Sequence, residues 1–363
     1  MQKKAMKGET HMHKRSHVLA VVAALLLGAL AVAVFTVSGA EAKPSRSSAG
    51  ELKGAGATFP APLIAVWQQR YEQRRDVKVT YNPIGSGGGI TAITNKTVDF
   101  GASDAPLTPD QFSACGGCVQ IPWVLSATAV MYNLPGERNN LKITGAILAG
   151  IHLGQIKNWN DPKIARVNPG VSLPDRQITP VYRSDSSGTT FNYTSYLNTV
   201  SKEWKSRVGR GTTVNWPTGV GARGSSGVSG VISRTPGAIG YADVAYALKN
   251  KIQFFRVQNR SGIYALPGLR GIKAASLADR KFSPTNELSI VNPPKGPKFR
   301  FAYPICTYSY VLLRTTSSQA ALLKPFVNWA VTQGQIFGPP LLFHPLPAYV
   351  VARAKSQLNK VHS

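Results

Sequence analysis

Twice along this 363-residue chain an apolar strand pattern runs into a Gly/Ser-rich turn and then a helical pattern, and that order restricts the fold more than any other feature. Val77, Val79 and Tyr81 alternate with polar residues and end in Ile84-Gly85-Ser86-Gly87-Gly88-Gly89, which opens a short helical segment reaching about Ile93. The middle of the chain repeats the pattern. Ile178–Tyr182 reads as a strand, Arg183 to Thr189 as the turn, and Phe191, Tyr196 and Leu197 as the helix after it. A helix starting at Pro60 buries Leu63, Trp67 and Tyr71, spaced four apart. Val98–Ala102, Ala238–Tyr241 and Tyr303–Leu313 are further strand patterns, a C-terminal helix pair closes the chain, and residues 266–300 look like surface connection. This predicts an α/β fold around a mostly parallel sheet, in a chain long enough for two lobes.

The N-terminus reads as an export signal. Lys3, Lys4, Lys7, Lys14 and Arg15 precede an uncharged apolar run from Val18 to Val37, and Ala40-Glu41-Ala42 fits an A-x-A cleavage site. The run is also long enough to span a bilayer, so residues 1–42 are either a cleaved signal peptide or a membrane anchor. Residues 43–53 read as a polar tether, with the fold starting at Gly54. In the oxidising compartment that export implies, Cys115-Gly116-Gly117-Cys118 is either a structural disulfide or a redox C-x-x-C, and Cys306 reads as a buried thiol. The formal net charge of +26 falls only to about +23 without residues 1–42. Such charge attracts anions of every kind, but no zinc-finger spacing, RNP motif or arginine-rich tract accompanies it, and no nucleic-acid partner is expected.

Three segments share one device for holding an anion. Thr58-Phe59 precedes a helix with Pro60 at its start, Ser86 enters a glycine-rich helix, and Ser187-Gly188-Thr189 opens another. A helix start offers unpaired backbone N–H groups and a partial positive charge, and glycine lets the backbone approach a ligand. Arg183 adds a planar fork that matches two oxygens of a tetrahedral anion, and Asp185 is spaced to hold that fork. No G-x-S-x-G elbow, Walker sequence or H-E-x-x-H cluster occurs. No catalytic residue, metal or cofactor is expected, and a serine-dependent phosphoester hydrolase is the rival reading.

Gly54 through Pro62, Asp99 through Leu107, Arg183 through Thr189 and Pro236 through Tyr241 resemble the phosphate-binding protein of the phosphate-specific ABC transporter, from about Gly54 nearly to the C-terminus. The resemblance implies a two-lobed type II periplasmic-binding-protein fold, with residues 54–132 plus 303–363 as one lobe and 133–302 as the other. Two hinge crossings, near Tyr132–Asn133 and Ala302–Tyr303, leave a ligand cleft between the lobes. It also implies a metal-free phosphate site. In that site Thr58 and Phe59 donate backbone N–H and Thr58 its hydroxyl, Ser86 donates N–H and hydroxyl, Arg183 donates its fork, and Ser187, Gly188 and Thr189 complete the cradle. Asp104 accepts a hydrogen bond from the protonated ligand. A carboxylate facing an oxyanion is sensible only if the ligand keeps a proton at neutral pH, as phosphate does and sulfate does not. Such a hydrogen bond can discriminate by about 10⁴–10⁵.

The sequence departs from the family at two places: Gly87 stands where a second serine is common, and Ser186 where glycine is common. A positive φ at position 186 would strain a serine. The expected role is extracytoplasmic capture of inorganic phosphate, with arsenate as competitor, by a monomer that delivers it to a membrane permease. A stand-alone surface scavenger or sensor is the alternative.

Overall fold

The sheet begins earlier than the sequence pattern suggests. In the computed structural model, which describes residues 50–136 and 141–363, strand β1 (Gly50–Gly56) already includes part of the segment read as tether. Gly50 to Lys53 pair in parallel with Val77 to Thr80, and Leu52 is fully buried. The polar neighbours Glu51 and Lys53 conceal this single inward-facing side chain. The export signal and its A-x-A site lie outside the described residues. No helix among the described residues is long and apolar enough to cross a membrane.

From β1 the chain runs through helix α1 (Ala61–Arg75), strand β2 (Val77–Asn82), helix α2 (Ser86–Thr94) and strand β3 (Phe100–Ser103). Helix α3 (Pro109–Ala114) precedes strand β4 (Cys118–Tyr132), which is buried throughout. The middle of the chain holds β5 (Lys142–Ile143), α4 (Gly145–His152), α5 (Pro162–Val167), β6 (Thr179–Arg183), α6 (Gly188–Val200) and α7 (Lys202–Arg207). Next come β7 (Val220–Ala222), α8 (Gly224–Arg234), β8 (Ala238–Asp243) and α9 (Val244–Lys249). Short strands β9 (Gln253–Phe254), β10 (Arg256–Gln258) and β11 (Tyr264–Ala265) and helix α10 (Leu269–Ala275) lead to strand β12 (Cys306–Arg314). Helices α11 (Ala320–Val331) and α12 (Ala348–Leu358) are the expected C-terminal pair. Segment 266–300 is more than surface connection, since it contains α10 and buries Leu288, Ile290 and Phe299.

The strands form one sheet in the order β2-β1-β3-β12-β4-β8-β6-β7, and β5, β10 and β11 form a small separate one. The pairs β1–β2, β1–β3, β6–β7 and β6–β8 are parallel, but β12 and β4 run antiparallel to their neighbours. The sheet is therefore parallel at its two ends and antiparallel in its middle. These two long strands join the two parallel sets, which is why strand–helix alternation alone does not reveal them. Cys118–Ala127 of β4 pair with β12, and Thr128–Tyr132 pair with β8. The change of partner thus falls between Ala127 and Thr128, ahead of Tyr132–Asn133. A bond from Thr128 N–H to the Ile305 carbonyl (2.8 Å) ties the two connecting segments together there.

Aromatic packing holds α1 in place. Trp67 is fully buried, meets Trp123 and Trp329 edge-on, and donates its indole N–H to the Gly334 carbonyl at 2.7 Å. Asp76, with φ 57°, ends α1 in the left-handed region and turns the chain into β2. The Cys115 and Cys118 sulfurs are bonded to each other beside the start of β4, while Cys306 is a buried free thiol. Trp67→Ala is expected to cost about 3–5 kcal/mol by leaving a cavity at the α1–β4–α11 junction. Urea unfolding with the disulfide intact measures this, and a loss under 1 kcal/mol would mean the site collapses around the truncation.

Candidate functional site

All eight residues expected to contact the ligand gather at the carboxyl ends of parallel strands. Thr58 and Phe59 follow β1, Ser86 opens α2 after β2, and Asp104 follows β3. Arg183 ends β6, and Ser187 caps α6. Strand ends at a change of sheet order leave a crevice, because the helices depart to opposite faces.

Arg183 organises the site. Its residue exposure is 4%, and Nε and Nη2 donate to the two carboxylate oxygens of Asp185 at 2.6 and 2.5 Å. Asp185 is held in turn by the Gly224 N–H at 3.0 Å. The Arg183 guanidinium beside Asp185, with these hydrogen bonds, outweighs burial and holds its carboxyl below the usual carboxylate range. With one edge of the fork committed, Nη1 points to the Thr58 hydroxyl (3.0 Å) and the Ser225 hydroxyl (3.4 Å). Thr58 and Ser225 are themselves 2.7 Å apart, and Tyr246 donates to the Thr58 carbonyl at 2.7 Å.

Ser86 links three chain segments. Its Oγ accepts from the Gly188 N–H at 3.0 Å and the Asp104 N–H at 3.2 Å, which leaves the hydroxyl proton free to donate. Gly188 has to be glycine. A Cβ there would lie 2.6 Å from Ser86 Oγ and 2.7 Å from Asp104 Cβ, so any side chain pushes α6 away from β3. Ser187 accepts from the Thr190 N–H at 3.1 Å, whereas α1, α2 and α8 begin without any side-chain cap. Phe59 turns its ring into the core, edge-on to Phe343, so its backbone N–H is its only donor toward the crevice.

The two departures from the family pattern face each other. A Cβ on Gly87 would come within 2.5 Å of Ser186 Cβ, and Gly87 N–H donates to the Ser186 carbonyl at 3.1 Å. The serine at 186 occupies the space that a side chain at 87 would need. Ser186 is not among the residues with positive φ, and its hydroxyl bonds Thr212 at 3.1 Å, so it carries no left-handed strain.

Asp104 is 2% exposed, and both carboxylate oxygens accept hydroxyls: Ser309 at 2.7 Å and Thr189 at 3.3 Å. Burial pushes its carboxyl up to about 7, against the opposing pull of the Ser309 bond, the Arg183 charge and the Thr189 bond. A second buried carboxyl, Asp243, caps α9 through the Ala245 N–H; burial raises it too, and the Asp104 charge adds to the rise.

Ser225, Ser309 and Tyr246 escaped the sequence reading. Ser225 had a legible signal, because Gly224-Ser225-Ser226-Gly227 follows β7 just as Gly85-Ser86-Gly87 follows β2. Ser309 is a lone hydroxyl in an apolar strand, and Tyr246 lies on α9, far from Thr58 in sequence; neither stands out without the fold. The three histidines in the described residues engage Tyr193 (His152), the Pro345 carbonyl (His344) and the Lys360 carbonyl (His362), so none is joined to a serine or threonine of the site.

A titrating Asp104 has a stability signature. Its folded value lies above the ordinary 3.8, so the folded state holds this proton more tightly than the unfolded chain does. Its contribution is therefore lost as pH rises from about 4 to about 7, at most about 4 kcal/mol in all. In anion-free buffer, the unfolding free energy of the protein minus that of Asp104→Asn should fall across that window and flatten above it. A difference independent of pH would mean that Asp104 does not titrate there.

Comparison with known proteins agrees with this architecture. The PBP superfamily domain matches residues 41–333. The phosphate-binding protein PstS of Pasteurella multocida is 39% identical over 86% of this chain and 90% of its own length. The PstS proteins of Xylella fastidiosa (40%; 84% of each chain) and Methanocaldococcus jannaschii (33%; 86% of this chain and 89% of that one) are also similar. Among solved structures, the periplasmic phosphate-binding protein PfluDING superposes with a TM-score of 0.68 at 20% identity, covering 84% of this chain and 93% of that one. A phosphate-binding protein of Stenotrophomonas maltophilia gives 0.63 at 18% identity, with coverage of 84% and 93%. At these identities the two structures establish the type II periplasmic-binding-protein fold.

Proposed function

The chain belongs to the PstS family of phosphate-binding proteins within the PBP superfamily, and on that premise we propose that it captures inorganic phosphate outside the cytoplasm and hands it to an ABC permease for import. The observation that supports this most is the presence of both a cation, Arg183, and a buried carboxyl, Asp104, among the gathered site residues. Arg183, Thr58, Ser86 and the backbone N–H groups of Phe59 and Thr189 supply donors for a tetrahedral anion, the Gly188 N–H, engaged with Ser86 Oγ, turns to the ligand on binding, and Ser187 caps the helix that carries Gly188 and Thr189. Asp104, across from them, can only accept once it is ionised, and then it needs a proton on the ligand. In this reading Asp185 positions the fork and Ser225 steadies Thr58.

Binding then proceeds by lobe closure. The lobe containing β1, β2, β3, β12 and Cys118–Ala127 of β4 carries Thr58, Phe59, Ser86 and Asp104. The lobe containing β6, β7 and β8 carries Arg183, Ser187, Gly188 and Thr189. The contacts between Arg183 and Thr58 and between Gly188 and Ser86 are interlobe contacts, which fit a closed arrangement, and in this reading it is the closed state that docks on the permease. The protein works as a monomer, does no chemistry on its ligand, and accepts arsenate in place of phosphate because arsenate carries the same proton. A chromogenic phosphate ester tests the absence of chemistry: turnover above background would restore the hydrolase reading.

The pH dependence of selectivity tests the role of Asp104. Ionised Asp104 repels sulfate, whereas its protonated form donates to a sulfate oxygen. Calorimetric titration should give no sulfate binding at pH 8.5 and increasing sulfate binding below about 7, with phosphate bound throughout. Asp104→Asn, which presents an amide donor at every pH, should bind sulfate at least about 100-fold more tightly than the parent at pH 8.5. Equal binding of the two anions by the parent at pH 8.5 would sink the assignment.

A further inference from the structure

The surplus of positive charge is concentrated in sequence and converges in space. Glu287 is the last acidic residue of the chain, and only Asp279 lies between it and Asp243. The ion pairs found among the described residues are Lys78–Glu51, Arg183–Asp185 and Arg207–Glu203, so the cations of the region after Asp243 have no carboxylate partner among them. Several of these cations meet at one groove of about 330 Å³, whose walls include Arg256, Tyr264, Arg270 and Phe301 and no carboxylate.

Packing sets these cations against one another. Arg256 on β10 is the register partner of Lys142 on the adjacent strand β5, and like charges side by side on neighbouring strands cost stability. In the same groove two guanidinium groups converge on one ring: Arg270 Cζ is 3.6 Å and Arg300 Cζ 5.6 Å from the Phe301 centroid. Lys142 Nζ lies 5.6 Å from the Tyr264 centroid. Lys142, Arg256, Arg270 and Arg300 are all exposed. The rings offset part of the repulsion, but the fold itself gains nothing from gathering four cations without an acid. An anion from outside does.

We propose that this groove holds a flexible, non-aromatic phosphodiester polymer of the poly(glycerol phosphate) kind, independently of the ligand crevice. Three observations select that chemistry. Guanidinium forks match phosphate oxygens, and three arginines line or flank the groove. The groove is concave, so it seats a strand rather than a lipid surface. Its aromatic faces are already covered by Arg270 and Lys142, which leaves no platform for stacking nucleobases. The polymer would hold the protein in place while the crevice, which shares none of these residues, stays free to take its own ligand.

The test uses the full chain and fluorescently labelled poly(glycerol phosphate), with binding followed by anisotropy from 50 to 300 mM NaCl. Arg256→Gln/Arg270→Gln/Arg300→Gln is compared with Lys163→Gln/Lys205→Gln/Lys355→Gln, which removes the same charge from other exposed positions. The groove variant should lose at least about tenfold in affinity and flatten the log–log salt slope by about 2, since each lost phosphate contact removes about 0.7. The control variant should lose no more than about threefold. Both should keep the parent's melting temperature and phosphate affinity at the crevice, which separates loss of the groove from misfolding. Equal losses in the two variants, no binding by the parent, or tighter parental binding of oligothymidylate or of anionic phosphatidylglycerol vesicles would each overturn the proposal.

Discussion

A guanidinium with only 4% of its residue surface exposed has to be neutralised and hydrogen-bonded within the protein, because an unpaired buried charge costs several kcal/mol. Arg183 meets that requirement with Asp185 on one edge and with Thr58 and Ser225 at its tip. Asp185 in turn takes the Gly224 N–H. One charge therefore fixes the loop after β1, the end of β6 and the start of α8 relative to one another. Removing any of these partners disturbs the others.

Asp185 neutralises Arg183, and Asp104 adds a second carboxyl nearby, so the crevice has no large excess of positive charge of its own. In the proposed role its attraction for an anion would come from directed hydrogen bonds: the backbone N–H groups at the starts of α1, α2 and α6, the Ser86 and Thr58 hydroxyls, and the remaining edge of the arginine fork. This explains the close approach enforced by Gly188, since dipoles act only over short distances. In the proposed role it would also make the site selective. A strongly positive pocket would accept any anion, whereas a neutral, directional one requires the proton pattern of its ligand to fit Asp104.

The overall charge of +26 is a separate feature from the crevice. Exposed charges are screened within about 8 Å at physiological salt, and the groove lined by Arg256 and Arg270 shares no residue with the crevice. On the two proposals the protein would separate two electrostatic tasks: recognition, which is buried and nearly neutral, and attraction, which is exposed and strongly positive.

Much of this was legible in the sequence. Strand, Gly/Ser turn and helix recur in order, and each recurrence marks a helix start where backbone N–H groups are free, so Thr58, Ser86, Arg183 and Ser187 to Thr189 were located by local chemistry alone. The family resemblance supplied the role of Asp104. Local patterns, however, report only what neighbours in the chain do. They concealed the first residues of β1, whose partner strand begins some 20 residues later in sequence, and the antiparallel centre of the sheet, made by β4 and β12 from distant parts of the chain. They also missed Ser309 and Tyr246, hydroxyls whose only distinction is where the fold carries them. The identity and spacing of the binding groups were determined by the sequence itself, because a helix start and its turn residues are contiguous. The raised pKa of Asp104, the mutual fit of Gly87 and Ser186, and the convergence of Lys142 with Arg256, Arg270 and Arg300 were decided only by the tertiary structure, because burial and proximity are properties of packing between segments far apart in the chain.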